Sequence, residues 1–331
     1  MFEPLGTPAF LVEARRIPSR NSPVTNVLIF FVLTFVAEVL SNLIVLPYEM
    51  FYLFRDGMFS EIAAIEDPTA QLEALMALAE SLMKEPLFLL LSLFSSAATI
   101  AVVLIYVRCM EKRSYFSLGL TKKPYGEYAL GFGIGILLIA LAIGFSLVFG
   151  SLSFAGISAN IRFGYILPFL LAFAVQGFSE ELLFRGFLMS ALGRGLPLWM
   201  AVLTSAFAFT ALHISGTDVN VIGFINLFLF GVLMALYMIR RGSLWGAAAI
   251  HTAWSFAEGI LTDGYVGGVK MPTSILVFAE KEGDYLIHGG SFGLEGGIAA
   301  SFVLVLAIAI LLMMKTKNAQ DPMLHIPTGD N

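Results

Sequence analysis

Eight stretches of the chain run apolar for about 17–25 residues, the length that lets a helix cross the hydrocarbon core of a bilayer. They fall at roughly 24–46, 86–107, 128–149, 165–187, 197–213, 219–239, 244–262 and 297–314. Backbone polar groups inside lipid must be satisfied within the segment, which leaves helices as the spanning form for runs of this kind. The pattern predicts an all-α, polytopic membrane helix bundle of about eight transmembrane helices. The fifth run is short, and the fourth carries charges.

The polar intervals set the organisation. Residues 1–23 read as a polar, Pro-containing tail; the long run behind it argues against a cleavable signal peptide. Residues 24–160 form an N-terminal transmembrane region with an outer loop at 47–85, residues 161–315 form a core, and 316–331 form a second tail. Lys and Arg mark the cytoplasmic side of short loops. Fourteen of them fall in segments on the side of the N-terminus, Arg185 among them, against five on the other side. Both termini are therefore expected in the cytoplasm, in a multi-pass protein of the plasma membrane. Within 47–85, Asp67-Pro68 reads as an N-cap followed by proline at the first helical position. Leu72, Leu75, Met76, Ala79, Leu82 and Met83 then share one face, as in a helix lying on the outer interface. The stretch GGSFGLEGG (289–297) is turn-dense and leads into the last run.

Composition agrees. Hydrophobic residues make up 58% of 331 and charged residues 13%, half the share of a soluble domain. The net charge of −5 points to no nucleic-acid partner, and the apolar runs make the lipid bilayer the partner expected. The lone Cys109 excludes an internal disulfide and a cysteine metal cluster, and beside Arg108 at a helix end it reads as structural.

Against this background, ionisable groups within the apolar runs mark function by default. They are Glu38, Glu180, Glu181, Arg185, His213, His251 and Glu258, joined by Asn226 and Ser255. Glu181 and Arg185 are spaced i, i+4 in the favourable order and pair as scaffold. Glu180 lies about 100° around the helix, without a local partner, and becomes the working group. His251, Ser255 and Glu258 form one stripe at i, i+4 and i+7. Glu38 and Glu258 are candidates for the site or a proton path, and Asn226 for bracing helices. A carboxylate with a neutral imidazole suits activation of water, and a second His with a hydroxyl suits an oxyanion. Alternatively, Glu180, His213 and His251 match the ligand count of a catalytic zinc site, although no HExxH spacing is present. A non-catalytic membrane partner and a proton relay or transporter are the competing functions; the absence of a repeat of broken helices speaks against the transporter.

The motifs EELLFR (180–185), FTALH (209–213) and HTAWS (251–255) match EExxxR, FxxxH and the first part of HxxxN. Over roughly 165–315 the chain resembles the CPBP family of intramembrane proteases, which includes type II CAAX prenyl endopeptidases and relatives concerned with lysostaphin resistance and bacteriocin processing. The resemblance implies an eight-helix membrane fold, with residues 161–315 as its protease core, that hydrolyses a peptide bond near the terminus of a peptide or membrane-protein substrate. By that likeness Glu180 and His213 activate water, while His251 and residue 255 form the oxyanion hole; family members are described both as glutamate-dependent and as metalloproteases. The chain departs from the pattern at Ser255, where the family has Asn or Asp. A pseudo-protease or immunity-type partner on the same fold is the alternative this departure supports. Counted along straight spans, Glu180 and His251 fall in the inner half and His213 nearer the outside. A re-entrant or tilted stretch at 187–200, broken at GRGLP (193–197), is expected to reconcile them.

Overall fold

The computed structural model describes residues 5–18, 21–159, 161–213 and 219–316; the tail beyond 316, with Lys317, and Arg20 of the first tail lie outside the described residues. Every apolar run emerges as a helix. Helix α1 is Ala9–Arg16, α2 Pro23–Phe54, α3 Pro68–Met83, α4 Pro86–Met110, α5 Pro124–Val148, α6 Phe163–Leu192, α7 Leu198–His213, α8 Val221–Arg241, α9 Leu244–Phe256 with a π turn over Ala257–Leu261, and α10 Ile298–Met313. Helices α2, α4, α5, α6 and α8 are long and apolar enough to cross a membrane; α7 and α10 are shorter apolar helices.

Local chemistry explains most boundaries. Ser22 caps α2 by accepting from the Thr25 N–H, and Asp67 caps α3 by accepting from the Thr69 N–H, each followed by proline at the first position. Helix α3 buries none of its residues, and Leu72, Leu75 and Met76 stay exposed, as an interfacial helix requires. Asn220 caps α8 at one end, and Gly242 closes it in the left-handed conformation at the other.

Packing centres on α8 and α9. Two-thirds of the α8 apolar window is enclosed, against 17% for α2. Helix α9 lies against α5 along small residues: a Cβ on Gly131 would meet the Gly246 carbonyl oxygen at 2.2 Å, and one on Gly135 the Ile250 oxygen at 2.6 Å. Without a hydrophobic drive between helices in lipid, such close backbone approach is what holds them together. Asn226 of α8 donates to the Gly297 carbonyl before α10 and accepts from Ser301 on it.

Arginines gather at one end of the bundle. Arg15 donates to the Gly193 carbonyl just past α6, and Arg240 to the Leu311 and Leu312 carbonyls that end α10. These contacts satisfy orphan carbonyls and complement the negative helix ends. Arg194 reaches the Ile17 carbonyl, and Arg113, itself buried, donates to Glu111 and Ser190. Part of the first tail is thereby tied down, with Phe10, Leu11 and Ala14 of α1 buried.

Several expectations are corrected. Helix α2 runs on to Phe54, past the expected end at 46, because Pro47 removes one backbone bond while the apolar sequence continues. Glu38 on α2 is exposed on the outer surface of the bundle, where its carboxylate accepts only from Asn42 among the bonds described. Arg185 is wholly buried and drops out of the charge count for the loops. Cys109, read as structural, is an exposed free thiol at the end of α4. The outer segments also hold short strands. Strand β1 (Leu152–Ile157) pairs antiparallel with β4 (Leu276–Glu280), and β2 (Tyr265–Val266) with β3 (Val269–Lys270). Gly267 and Gly268 have φ of 55° and 82°, as a two-residue hairpin turn demands.

Gly131→Val is expected to lower the unfolding free energy by about 1–3 kcal/mol, since the new side chain meets backbone that cannot move aside. Thermal unfolding in detergent checks it; an unchanged midpoint would contradict the close α5–α9 contact.

Candidate active site

Helices α6 and α7 form a hairpin closed by the turn at 193–197. Glu180 lies twelve residues before Leu192 and His213 fifteen after Leu198. At 1.5 Å per residue that puts them about 18 and 22 Å from the turn, nearly level. No re-entrant stretch is needed: α6 ends five residues later than the apolar run suggested, which lengthens its inner arm. GRGLP is indeed the break.

The two imidazoles and the carboxylate converge. His213 Nε2 lies 3.4 Å from Glu180 Oε2, and His251 Nε2 lies 3.7 Å from the same oxygen. Gln176, one turn earlier on α6, donates to Glu180 Oε1. Glu180 thus has a local partner in the i−4 amide, contrary to expectation. Both rings are oriented from behind. His213 Nδ1 sits 2.8 Å from the Phe209 carbonyl, and because a carbonyl only accepts, Nδ1 carries the proton. His251 Nδ1 likewise faces Glu181 Oε1 at 3.0 Å. Each Nε2 is therefore the nitrogen turned toward Glu180.

Glu181 and Arg185 are both fully buried and joined at 3.0 Å. The Glu181 Oε1 that Arg185 holds is the one facing His251. The guanidinium also sits 4.6 Å above the Phe209 ring, so the pair touches both imidazole-bearing helices. A π-helical register covers Leu182–Met189, starting directly after Glu181. Such bulges are rare and gather at functional sites. Gly177 lets α6 approach α9, where a Cβ would meet the Thr252 nitrogen at 3.1 Å.

A cavity of about 280 Å³ fronts this cluster. His213, His251, Ser255 and Gln176 line it together with apolar Leu89, Phe173, Phe209, Phe230 and Met271. Glu180 is about one-fifth exposed beside it. Of the expected residues, Glu180, His213, His251 and Ser255 come together, and Glu181 and Arg185 stand behind them. Glu258 does not line the cavity; the π turn over 257–261 breaks the period on which its i+7 place in the stripe depended. It is buried against Gly293 instead. Asn226 braces, donating to the Glu295 and Gly297 carbonyls at 2.8 Å each.

Asn226 thereby positions a residue that sequence reasoning passed over. Glu295, in the loop before α10, lines the cavity, and Trp254 Nε1 donates to its Oε1 at 2.9 Å. Burial away from water raises its carboxyl above the ordinary carboxylate range, opposed by the nearby imidazoles. Its one signal in the sequence is an acid set within GGSFGLEGG.

Residues 162–257 match the family described as type II CAAX prenyl endopeptidase Rce1-like. This match supports the CPBP/CAAX protease family that the motifs resemble. No curated protein and no solved structure matches the chain. The matched stretch includes Glu180, His213, His251 and Ser255, while Glu295 lies beyond it. For the metal that some CPBP members are described as using, the donors fit poorly: among the described residues no group of three or more His, Cys, Asp or Glu is set to hold an ion.

Arg185→Met leaves the Glu181 carboxylate buried without its counter-charge. A loss of about 3–5 kcal/mol in unfolding free energy is expected. Adding Glu181→Gln should recover part of it. A double variant no more stable than Arg185→Met alone would show that the ion pair is not what holds this region.

Proposed function

We propose that the chain is an intramembrane endopeptidase that hydrolyses a peptide bond of a membrane-associated protein or peptide with water activated by Glu180 and His213. The observation that carries this reading is the approach of both Nε2 atoms to one Glu180 oxygen. An ionised carboxylate and an imidazole lone pair repel each other at 3.4 Å unless a proton or a water lies between them. A water there gives its proton to the pair, and its oxygen attacks the substrate carbonyl carbon. The carbonyl oxygen becomes an oxyanion. The Ser255 hydroxyl donates to it, and so does His251 Nε2 when that nitrogen carries a proton, its ring held in place by Glu181. Collapse breaks the C–N bond as a proton passes to the leaving amine, which releases a carboxylate and an amine. Glu295 on the cavity wall, its carboxyl raised above the ordinary carboxylate range by burial, is a second source for that proton.

The apolar and aromatic lining suits a hydrophobic side chain beside the scissile bond. Processing of CAAX type is one form this activity takes in the family. The competing reading, a non-catalytic partner, draws on Ser255, whose hydroxyl offers one donor where an Asn amide offers two.

A quenched-fluorescent peptide ending in a prenylated CAAX sequence, with purified protein in detergent, provides the test. Glu180→Gln and His213→Ala should abolish cleavage with unchanged elution and melting. Ser255→Ala should slow it about 100-fold, the scale of one lost oxyanion donor. Full activity of Glu180→Gln would overturn the mechanism. Activity lost to a chelator and restored by zinc would transfer the chemistry to a metal at the same residues.

Separately, Glu295→Gln should flatten the alkaline limb of the rate–pH profile while leaving KM within about twofold. An unchanged profile would remove Glu295 from proton transfer.

A further inference from the structure

The cavity occupies one end of the bundle. His213 is the last residue of α7, Leu227 lies in the second turn of α8 counted from Val221, and Ser255 lies six residues before the π turn closes at Leu261. Val266 and Val269 of the hairpin, together with Glu295, complete the wall from the 263–296 segment. Toward the other end the interior is packed shut. Leu182, Arg185, Phe187, Leu188 and Met189 of α6 are fully buried beneath Glu180, as are Leu118 and Leu244.

The two ends differ in charge. On the cavity side, 47–85 holds eight acidic and two basic residues, and 263–296 holds five and two. The closed end carries Arg108, Lys112, Arg113, Lys122, Lys123, Arg194, Arg240 and Arg241. Contacts confirm that these segments share one end: Arg194 with Glu111, Arg113 with Ser190, and the Leu244 N–H on the Gly119 carbonyl. Lys and Arg concentrate on the cytoplasmic side of membrane proteins.

We infer that the cavity opens on the face opposite the cytoplasm, and that its substrate is a peptide segment presented there with an apolar side chain at the cut, instead of a cytosolic C-terminal tail. The substrate class rests on the peptidase reading; the side of entry does not. Water reaches Glu180 from the same face, since the packed layer beneath it leaves no route from the basic end.

The chain's single cysteine supplies the test. Cys109 is exposed at the basic end. In intact cells expressing the full chain, a membrane-impermeant maleimide should spare Cys109 and label it after permeabilisation. In a Cys109→Ser background, Glu282→Cys on the exposed 281–283 turn should be labelled in intact cells. The reverse pattern overturns the inference and leaves the peptidase reading standing. Vesicles of both orientations, given a quenched-fluorescent peptide with a Leu-Phe centre, extend it to substrate. Cleavage should occur in right-side-out vesicles at ten or more times the rate in sealed inverted ones, and Glu180→Gln should remove it. Cleavage confined to inverted vesicles overturns the inference. Labelling as expected with no cleavage of this or the CAAX peptide in either orientation overturns the substrate assignment together with the peptidase reading.

Discussion

One carboxylate oxygen, Glu181 Oε1, organises the centre of this protein. It accepts from Arg185 on its own helix and faces His251 on another, each at 3.0 Å. Charges buried in a bundle of this kind persist only when paired. The pair therefore fixes more than itself. Arg185 must stay one turn beyond Glu181, against the Phe209 ring of α7; His251 must keep its ring plane toward α6. Three helices are thereby aligned by a contact that does no chemistry, and the neighbouring Glu180 is left to face the cavity.

Around that contact the bundle is built asymmetrically. Small residues bring α5, α6 and α9 to backbone contact, so the layer below the charges is dense. Above them, side chains as different as Leu89, Phe230 and Ser255 leave an open space bounded by a hairpin and a glycine-rich loop. Polar chemistry in a bilayer needs water on one side of the reacting groups and a rigid support on the other, and the two halves of the chain's core divide those tasks.

Much of this was legible in the sequence because the background is so apolar. Each long run became a helix, and a handful of ionisable residues stood out against them; Glu180, Glu181, Arg185, His213 and His251 were found by rarity and helical spacing. What stayed hidden has specific causes. Glu38 faces outward, which no count of residues reveals without knowing how much of α2 packs. Glu258 dropped from the stripe because a π turn altered the period. Gln176 carried no charge to draw notice, and Glu295 sat in a loop whose conformation glycine does not announce. The strands are too short, at two to six residues, to show alternation. His213 comes level with Glu180 because α6 continues about one and a half turns past the end of its apolar run, which hydropathy alone does not reveal.

Helix α10 is fastened at both ends to the same neighbour. Asn226 grips the carbonyls at its start, and Arg240 grips those at its finish. Helix α8 thus acts as a splint for the last helix of the bundle. The height of Glu295 at the cavity wall is set by how α10 seats along that splint, so the far end of the molecule is mechanically linked to the acid. Loosening the grip of Arg240 would be felt some 20 Å away, where the loop meets Trp254.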